Sequence, residues 1–265
     1  MGSTAMSMLA PGNWPAFVLI SARLSGLFLL SPFWSMMTIP KSVKGAVVVV
    51  LAASMVPGSP KPPFPDQIVT IPIPLMLEFT IGVAIGLVAS VVSHALLIAS
   101  EVVSLQTGLS LGQAISPNID LGGPAIGQFY GLLGLAVFVS IGGPVQMIDA
   151  VGRSLAQYPP GTTLMLNDGG AGLLKVTGSI FAYAVQIAAP VMVALTVTNL
   201  AMAILSRAVP QLNAMAMSFA ITVGVGMIMI GLSLPVMVRI LGRWLSAVPG
   251  SADSLLQTML RAGAN

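Results

Sequence analysis

The chain contains no cysteine and a single histidine, His94. The first absence excludes disulfides, Cys-ligated zinc and iron–sulfur clusters, and it leaves the redox compartment unread. The second leaves His94 without the second His or Cys ligand that a metal site needs. Charge is scarce as well: 6% of residues are Asp, Glu, Lys or Arg, against about 25% in an ordinary soluble domain. The 10 Lys and Arg are scattered among 7 Asp and Glu, for a net charge of +3 with no basic run. Nucleic acid is therefore not an expected partner. No charged region precedes the first apolar stretch, and the first charge, Arg23, already lies inside it. A cleavable signal is not expected. There is no phosphate-binding Walker loop and no Gly-x-Ser-x-Gly elbow.

What is present is hydrophobic. Apolar residues make up 56% of the chain and the mean hydropathy is +0.98, so the polar surface cannot cover a water-facing globule. The bilayer is the natural solvent. A length of 265 residues allows one membrane-embedded domain spanning residues 1–265, with 246–265 reading as a short polar tail. A transmembrane helix needs about 20 largely apolar residues. Six stretches qualify or come close: Trp14–Trp34, Val43–Val56, Ile73–Thr107, Ile126–Ile148, Gly172–Leu205 and Ala214–Leu241. The second is short and ends at the Pro-rich run 57–65. The fourth is interrupted at Gly142-Gly143-Pro144, and Pro190 and Pro235 lie inside the fifth and sixth. The expected fold is an all-α polytopic membrane protein of about six long apolar helices, some kinked at proline. The third and fifth stretches exceed a perpendicular span, since about 34 residues of helix reach roughly 50 Å against a core of about 30 Å.

Helical periodicity places Glu78, Gly82, Gly86, Ala89, Ser93, Ser100 and Ser104 on one stripe. Gly82 and Gly86 form a GxxxG pair, which lets two backbones approach closely. On the sixth stretch Met217, Gly224, Gly231, Pro235 and Gly242 align, making Gly224 and Gly231 packing candidates too. Such stripes in a small chain point to a subunit of a larger helical assembly. Basic residues fall near almost every turn, so the positive-inside rule does not orient the chain.

Charges inside apolar helices require an explanation, and Arg23, Glu78, His94 and Glu101 are the four to account for. His94 and Glu101 share a helix face with Ser90. One reading is a proton relay or ion site. The plainer one, which we favour, puts Glu101 at the aqueous helix end and lets His94 bond a neighbouring helix. A serine nucleophile would have only His94 as its base, which makes hydrolysis a weak alternative. No catalytic residue, metal site or cofactor is assigned. The loop from Gly108 to Pro124 is Gly-rich and carries one charge, Asp120. Irregular backbone at membrane depth survives only when buried in protein or lining a cavity. The loop therefore reads either as a surface connector or as a gating segment in a pore. The seventeen methionines read first as core filling, with a compliant seal around a passing chain as the alternative.

Several of these residues carry a family resemblance. Ile81-Gly-Val-Ala-Ile-Gly86, Ala99-Ser-Glu101, Gln106-Thr-Gly-Leu-Ser110 and Pro117 resemble the flagellar biosynthetic FliR family, which includes the export-gate subunit of type III injectisomes. Ile39-Pro-Lys41, Tyr158-Pro-Pro-Gly161, Ala189-Pro-Val191, Asn199-Leu200 and the block Arg207-Ala-Val-Pro-Gln-Leu-Asn213 fit the same pattern. The resemblance spans about residues 12–245. The chain departs from it at Gly143-Pro144, where Gly-His is common, at Thr107, where Met is common, and at Ser100, where Gly is usual. The resemblance implies a non-enzymatic subunit of the flagellar protein export gate in the bacterial inner membrane, at the centre of the basal body. It implies FliP-like and FliQ-like gate subunits as partners, FlhB-like and FlhA-like export proteins beside them, membrane lipid around them, and unfolded flagellar proteins in transit. It also implies that Gly108, Leu109, Ser110, Leu111, Gly112 and Pro117 belong to a pore plug. From the residues themselves, Arg207, Pro210, Gln211 and Asn213 are expected to form a polar cluster at a turn, because Pro210 leaves carbonyls for these side chains to satisfy. The alternatives are an injectisome gate subunit and a small-molecule carrier or channel, which would show inverted repeats and a polar site at the midplane.

Overall fold

The fold is that of a computed structural model, which describes residues 13–31, 40–60, 72–108, 125–161, 164–166, 170–208 and 214–262. Seven α-helices occur among these residues. They are α1 (Trp14–Leu30), α2 (Lys41–Met55), α3 (Pro72–Thr107), α4 (Ala125–Ser140), α5 (Gly143–Gln157), α6 (Gly170–Ala208) and α7 (Ala214–Met259). Two three-residue strands, β1 (Leu164–Leu166) and β2 (Leu260–Ala262), pair antiparallel with Leu164 opposite Ala262. Beyond that ladder and 3-10 turns such as Val56–Gly58, the described regular structure is α-helical, as composition requires of backbone in lipid.

The number of spans differs from the six expected. Among the described residues, four helices are long and apolar enough to cross a membrane: α2 with its 3-10 turn, α3, α6 and α7. The fourth expected stretch is two helices, α4 and α5, which would make a fifth span only if taken as one broken segment. The break has a local cause. Gly142 adopts φ +77, a left-handed conformation that ends a helix readily only at glycine, and Pro144 then starts the next one. After the break the pattern is amphipathic: Met147, Ala150, Val151, Ser154 and Leu155 are buried, while Arg153 and Asp149 pair at 2.9 Å on the exposed side. The first stretch is a helix of 17 residues, short for a perpendicular span of about 20.

Two compact units divide the chain. Unit 1 comprises residues 1–90, 142–177 and 245–265, and unit 2 comprises 91–141 and 178–244. The sequence gives no boundary between them, because α3, α6 and α7 each run through both.

In unit 1, α1 and α3 cross at glycine. A methyl group on Gly82 would strike the Arg23 carbonyl oxygen, and one on Gly26 would strike that of Phe79 and lie 2.8 Å from the Val83 nitrogen. At Gly86 it would lie 2.8 Å from the Leu27 oxygen. The GxxxG pair therefore meets backbone, and Gly26 is its reciprocal on α1. The last turns of α7 also belong to unit 1. The sequence reads 246–265 as a polar tail, yet α7 runs to Met259 with Val248, Ala252, Leu255 and Leu256 buried. These apolar residues recur every three or four positions, the period of a half-buried helix, among Ser, Gly and Asp that make the segment look polar on average.

In unit 2 the glycine that packs on α7 is Gly226, where a methyl group would lie 2.6 Å from Cγ2 of Thr107 and also meet Leu195. The packing expected at Gly224 and Gly231 is not made within this chain. Both are exposed, and a methyl group on either meets nothing within 4 Å. The inward face of α7 in this unit carries Thr222, Gly226, Ile230, Ser233, Met237 and Leu241. A period of seven marks a face without saying what that face meets.

Gly82→Leu is expected to destabilise the protein by about 3 kcal/mol or more, since backbone on the partner helix cannot yield as a flexible side chain would. Gly224→Leu should change stability by less than about 0.5 kcal/mol within the isolated chain. Thermal unfolding of both variants in mild detergent, with membrane insertion checked by fractionation, separates them. Equal midpoints would contradict the close crossing.

Candidate functional site

Arg23, in the middle of α1, is a charged group with no exposed surface. An isolated guanidinium in an apolar interior is prohibitively unfavourable, so each of its N–H groups needs a defined acceptor. Unit 1 supplies them. Arg23 Nε donates to Glu78 Oε2 at 2.6 Å, Nη1 to Ser154 Oγ at 3.0 Å, and Nη2 to the Tyr158 carbonyl at 2.9 Å. The other carboxylate oxygen, Glu78 Oε1, accepts from the backbone N–H of Gly161 at 3.1 Å. Ser154 in turn donates to the Val151 carbonyl at 2.8 Å.

Each participant has a reason to be where it is. Arg23 and Glu78 lie one turn from Gly26 and Gly82, so the close crossing of α1 and α3 sets their reach. Ser154 lies on the buried side of α5. The turn after α5 contains Tyr158, Pro159, Pro160 and Gly161, and Gly161 takes φ +77. The conformation needs glycine and aims its N–H at the carboxylate. Burial, with the Asp253 carboxylate next in effect, pushes the Tyr158 phenol above its ordinary range. The arrangement is closed on itself: a charge pair satisfied by one hydroxyl and two backbone groups. It fixes the turn 158–161 and presents no open coordination position or nucleophile.

The other expected site residues are not brought into this cluster. His94 and Glu101 are exposed on α3, on the same side as Leu97 and Leu105. Ser90 is buried and donates to the Leu87 carbonyl at 2.9 Å. Arg207 is exposed in the last turn of α6, while Pro210, Gln211 and Asn213 lie outside the described residues, so the polar cluster stays an expectation. Of the loop, Gly108 is described. It has φ +78, and its N–H meets the Leu105 carbonyl at 3.2 Å, closing the end of α3. Leu109, Ser110, Leu111, Gly112 and Pro117 lie outside the described residues. The residue before the loop is held firmly: Thr107 is buried, its hydroxyl donates to the Val103 and Ser104 carbonyls, and its own carbonyl accepts from Thr222 at 3.4 Å. Among the described residues no three His, Asp or Glu side chains gather into a possible ligand set.

Sequence reasoning singled out Arg23 and Glu78 as costly charges but did not pair them. The usable signal was the coincidence of a lone buried base and a lone buried acid, each a turn from a glycine on an apolar helix. Ser154 and the backbone of Tyr158 and Gly161 carry no such signal.

The geometry defines a polytopic helical membrane protein in which the buried ionic cluster around Arg23 is closed by the protein's own groups. The chain matches the family of bacterial export proteins, family 1, over residues 14–248, and it belongs to that family. It is 29% identical over 230 residues to the flagellar biosynthetic protein FliR of Pectobacterium carotovorum subsp. carotovorum, covering 84% of this chain and 86% of that protein. It is 27% identical to the protein of the same name in Bacillus subtilis, over 82% of this chain and 85% of the relative. It is 26% identical to the surface presentation of antigens protein SpaR of Salmonella typhimurium, over 78% of each.

Breaking one side of the ion pair should cost far more than removing both. Glu78→Leu strands a buried guanidinium and is expected to cost about 3–5 kcal/mol. The double variant Arg23→Met with Glu78→Leu removes both charges and should recover at least half of that loss. Thermal unfolding in detergent reads the comparison. A double variant less stable than Glu78→Leu would show that the pair itself, rather than the stranded charge, sets the cost.

Proposed function

We propose that this protein is a non-enzymatic subunit of a flagellar type III export gate, seated in the bacterial inner membrane at the centre of the basal body. The observation that carries this reading is the family match along nearly the whole chain, with relatives named for flagellar biosynthesis covering more than four-fifths of it. The surface supports it. The most apolar stretch of α3 is 72% buried within the chain, whereas those of α6 and α7 are 28% buried. Phe181, Val193, Val197, Leu200, Ile228 and Leu232 stay more than half exposed. Two long helices with apolar outer faces suit lipid on one side and further helical subunits on another. FliP-like and FliQ-like subunits are the proposed neighbours, with FlhB-like and FlhA-like proteins beside the gate and unfolded flagellar proteins passing through it. The carrier alternative is less well supported: the buried polar groups near Arg23 are already satisfied by the protein's own backbone and leave no substrate site. The likeness to SpaR makes an injectisome gate the second reading.

The loop 108–124 is proposed as the closing element of the pore. A gate shut at rest yet displaced by an arriving chain needs two states only a few kcal/mol apart, and a Gly-rich, nearly uncharged backbone would contact pore walls weakly.

Two measurements test the reading. Purification in mild detergent from the native membrane should yield a defined complex with flagellar-type gate subunits, and a monodisperse monomer would overturn it. Recovery with injectisome subunits would instead select the second reading. Deleting residues 110–116 should leave that complex assembled but raise small-solute leakage across the membrane at least several-fold. An assembled deletion variant no leakier than the intact protein would show that the loop does not close the pore.

A further inference from the structure

Most of α3 within unit 2 is covered: Ala95, Leu96, Ala99, Ser100, Val103 and Ser104 are buried. One stripe is left open. It runs through His94, Leu97, Glu101 and Leu105, with both ionisable residues exposed and the leucines 48% and 61% exposed. Spacings of three and four residues put these positions along one side of a helix, in a strip about one helix wide. The Glu101 carboxylate makes no ion pair or hydrogen bond among the described residues.

The depth of Glu101 follows from the contacts within unit 2. Thr107, near the end of α3, meets Thr222 and Gly226 of α7. Further back on α3, Leu96 abuts Gly134 of α4, and one turn away on α4 Tyr130 meets Ser233 of α7. In this unit α3 therefore runs antiparallel to α7, and Glu101 lies at a level between Gly226 and Ser233. Both belong to the uncharged run Ala214–Val238, which is long enough to cross a bilayer. At Gly226 α7 also meets Leu195 of α6, inside the uncharged run Val176–Ser206. The carboxylate is thus at hydrocarbon depth and turned out of the chain, not at an aqueous helix end. Ionised side chains within a membrane face protein or water and pair with an opposite charge, because hydrocarbon cannot solvate them. Water along this face would leave Leu97 and Leu105 solvated. A helix laid on the stripe covers both leucines and can bring the missing cation.

We propose that the stripe of His94, Leu97, Glu101 and Leu105 docks one helix of a neighbouring subunit, an apolar helix that carries a Lys or Arg level with Glu101. This rests on the protein's place among helical gate subunits, and the test separates the two. Because the chain has no cysteine, Leu97→Cys and Leu105→Cys each introduce a unique thiol for a benzophenone maleimide. Irradiation of the complex, purified in mild detergent, should join both positions to the same helix of one partner. Mass spectrometry should find a Lys or Arg within about one turn of the joined residues. Glu101→Gln should lower recovery of the complex at least several-fold at equal membrane insertion, while Glu101→Asp keeps most of it. Adducts to lipid alone, to scattered sites or to a helix without a base would overturn the proposal, as would full recovery with Glu101→Gln. Rapid modification of Glu101→Cys by a membrane-impermeant thiol reagent in the intact complex would overturn it in favour of a water-filled path. An unaltered protein that purifies alone would sink the gate reading and the docking stripe together. A complex that forms normally but fails these tests refutes the stripe alone.

Discussion

A guanidinium with no exposed surface in an apolar bundle must be met by an anion and by acceptors for its remaining protons. Arg23 imposes this constraint on unit 1. Glu78 meets the charge, Ser154 and the Tyr158 carbonyl take further protons, and Gly161 caps the second carboxylate oxygen. Three helices and one turn are thereby held in a single arrangement. The geometry depends on glycine as much as on charge. Gly26 and Gly82 bring α1 and α3 into backbone contact one turn from Arg23 and Glu78, which keeps the pair short. A bulkier crossing would separate the charges and leave both desolvated, which is the unfavourable case for a buried ion pair.

The rest of the chain follows a different logic. The most apolar window of α3 is largely covered, while those of α6 and α7 are mostly open. In unit 2 the inward faces of α3 and α7 use small residues and hydroxyls, joined at Thr107, Thr222 and Gly226. The outward faces carry Val, Leu, Ile and Phe. Inner faces that mix hydroxyls and small residues with apolar side chains, beneath outer faces that are large and apolar, depart from the pattern of a soluble bundle, whose outer face is polar. The arrangement suits a protein whose solvent is lipid and neighbouring helices, and membership of a bacterial export family is consistent with that division. The firm end of α3 at Thr107, next to Gly108 with φ +78, gives the loop that follows a fixed point of departure.

The class of protein was legible in the sequence because hydropathy is local and nearly additive: every long apolar run except the broken fourth became a single helix, and the bilayer followed from composition. The family was legible as well, since short blocks such as Ile81–Gly86 survive as text. Periodicity also marked the stripe of Gly82 and Gly86 correctly as a close-packing face. Periodicity leaves the partner of a face open: Gly224 and Gly231 lie on a helical face that this chain leaves uncovered, and the face it covers carries Gly226. The segment after Leu245 looked polar on average, and only its packing showed that Val248, Ala252, Leu255 and Leu256 form a buried stripe. The pairing of Arg23 with Glu78, 55 residues apart, could not be read along the chain, because burial makes a partner necessary without naming it. The sequence by itself determined which segments are helical and which solvent they need, through properties each residue carries alone. The tertiary structure decided which faces meet and which charges pair, because those depend on distances between residues remote in the chain.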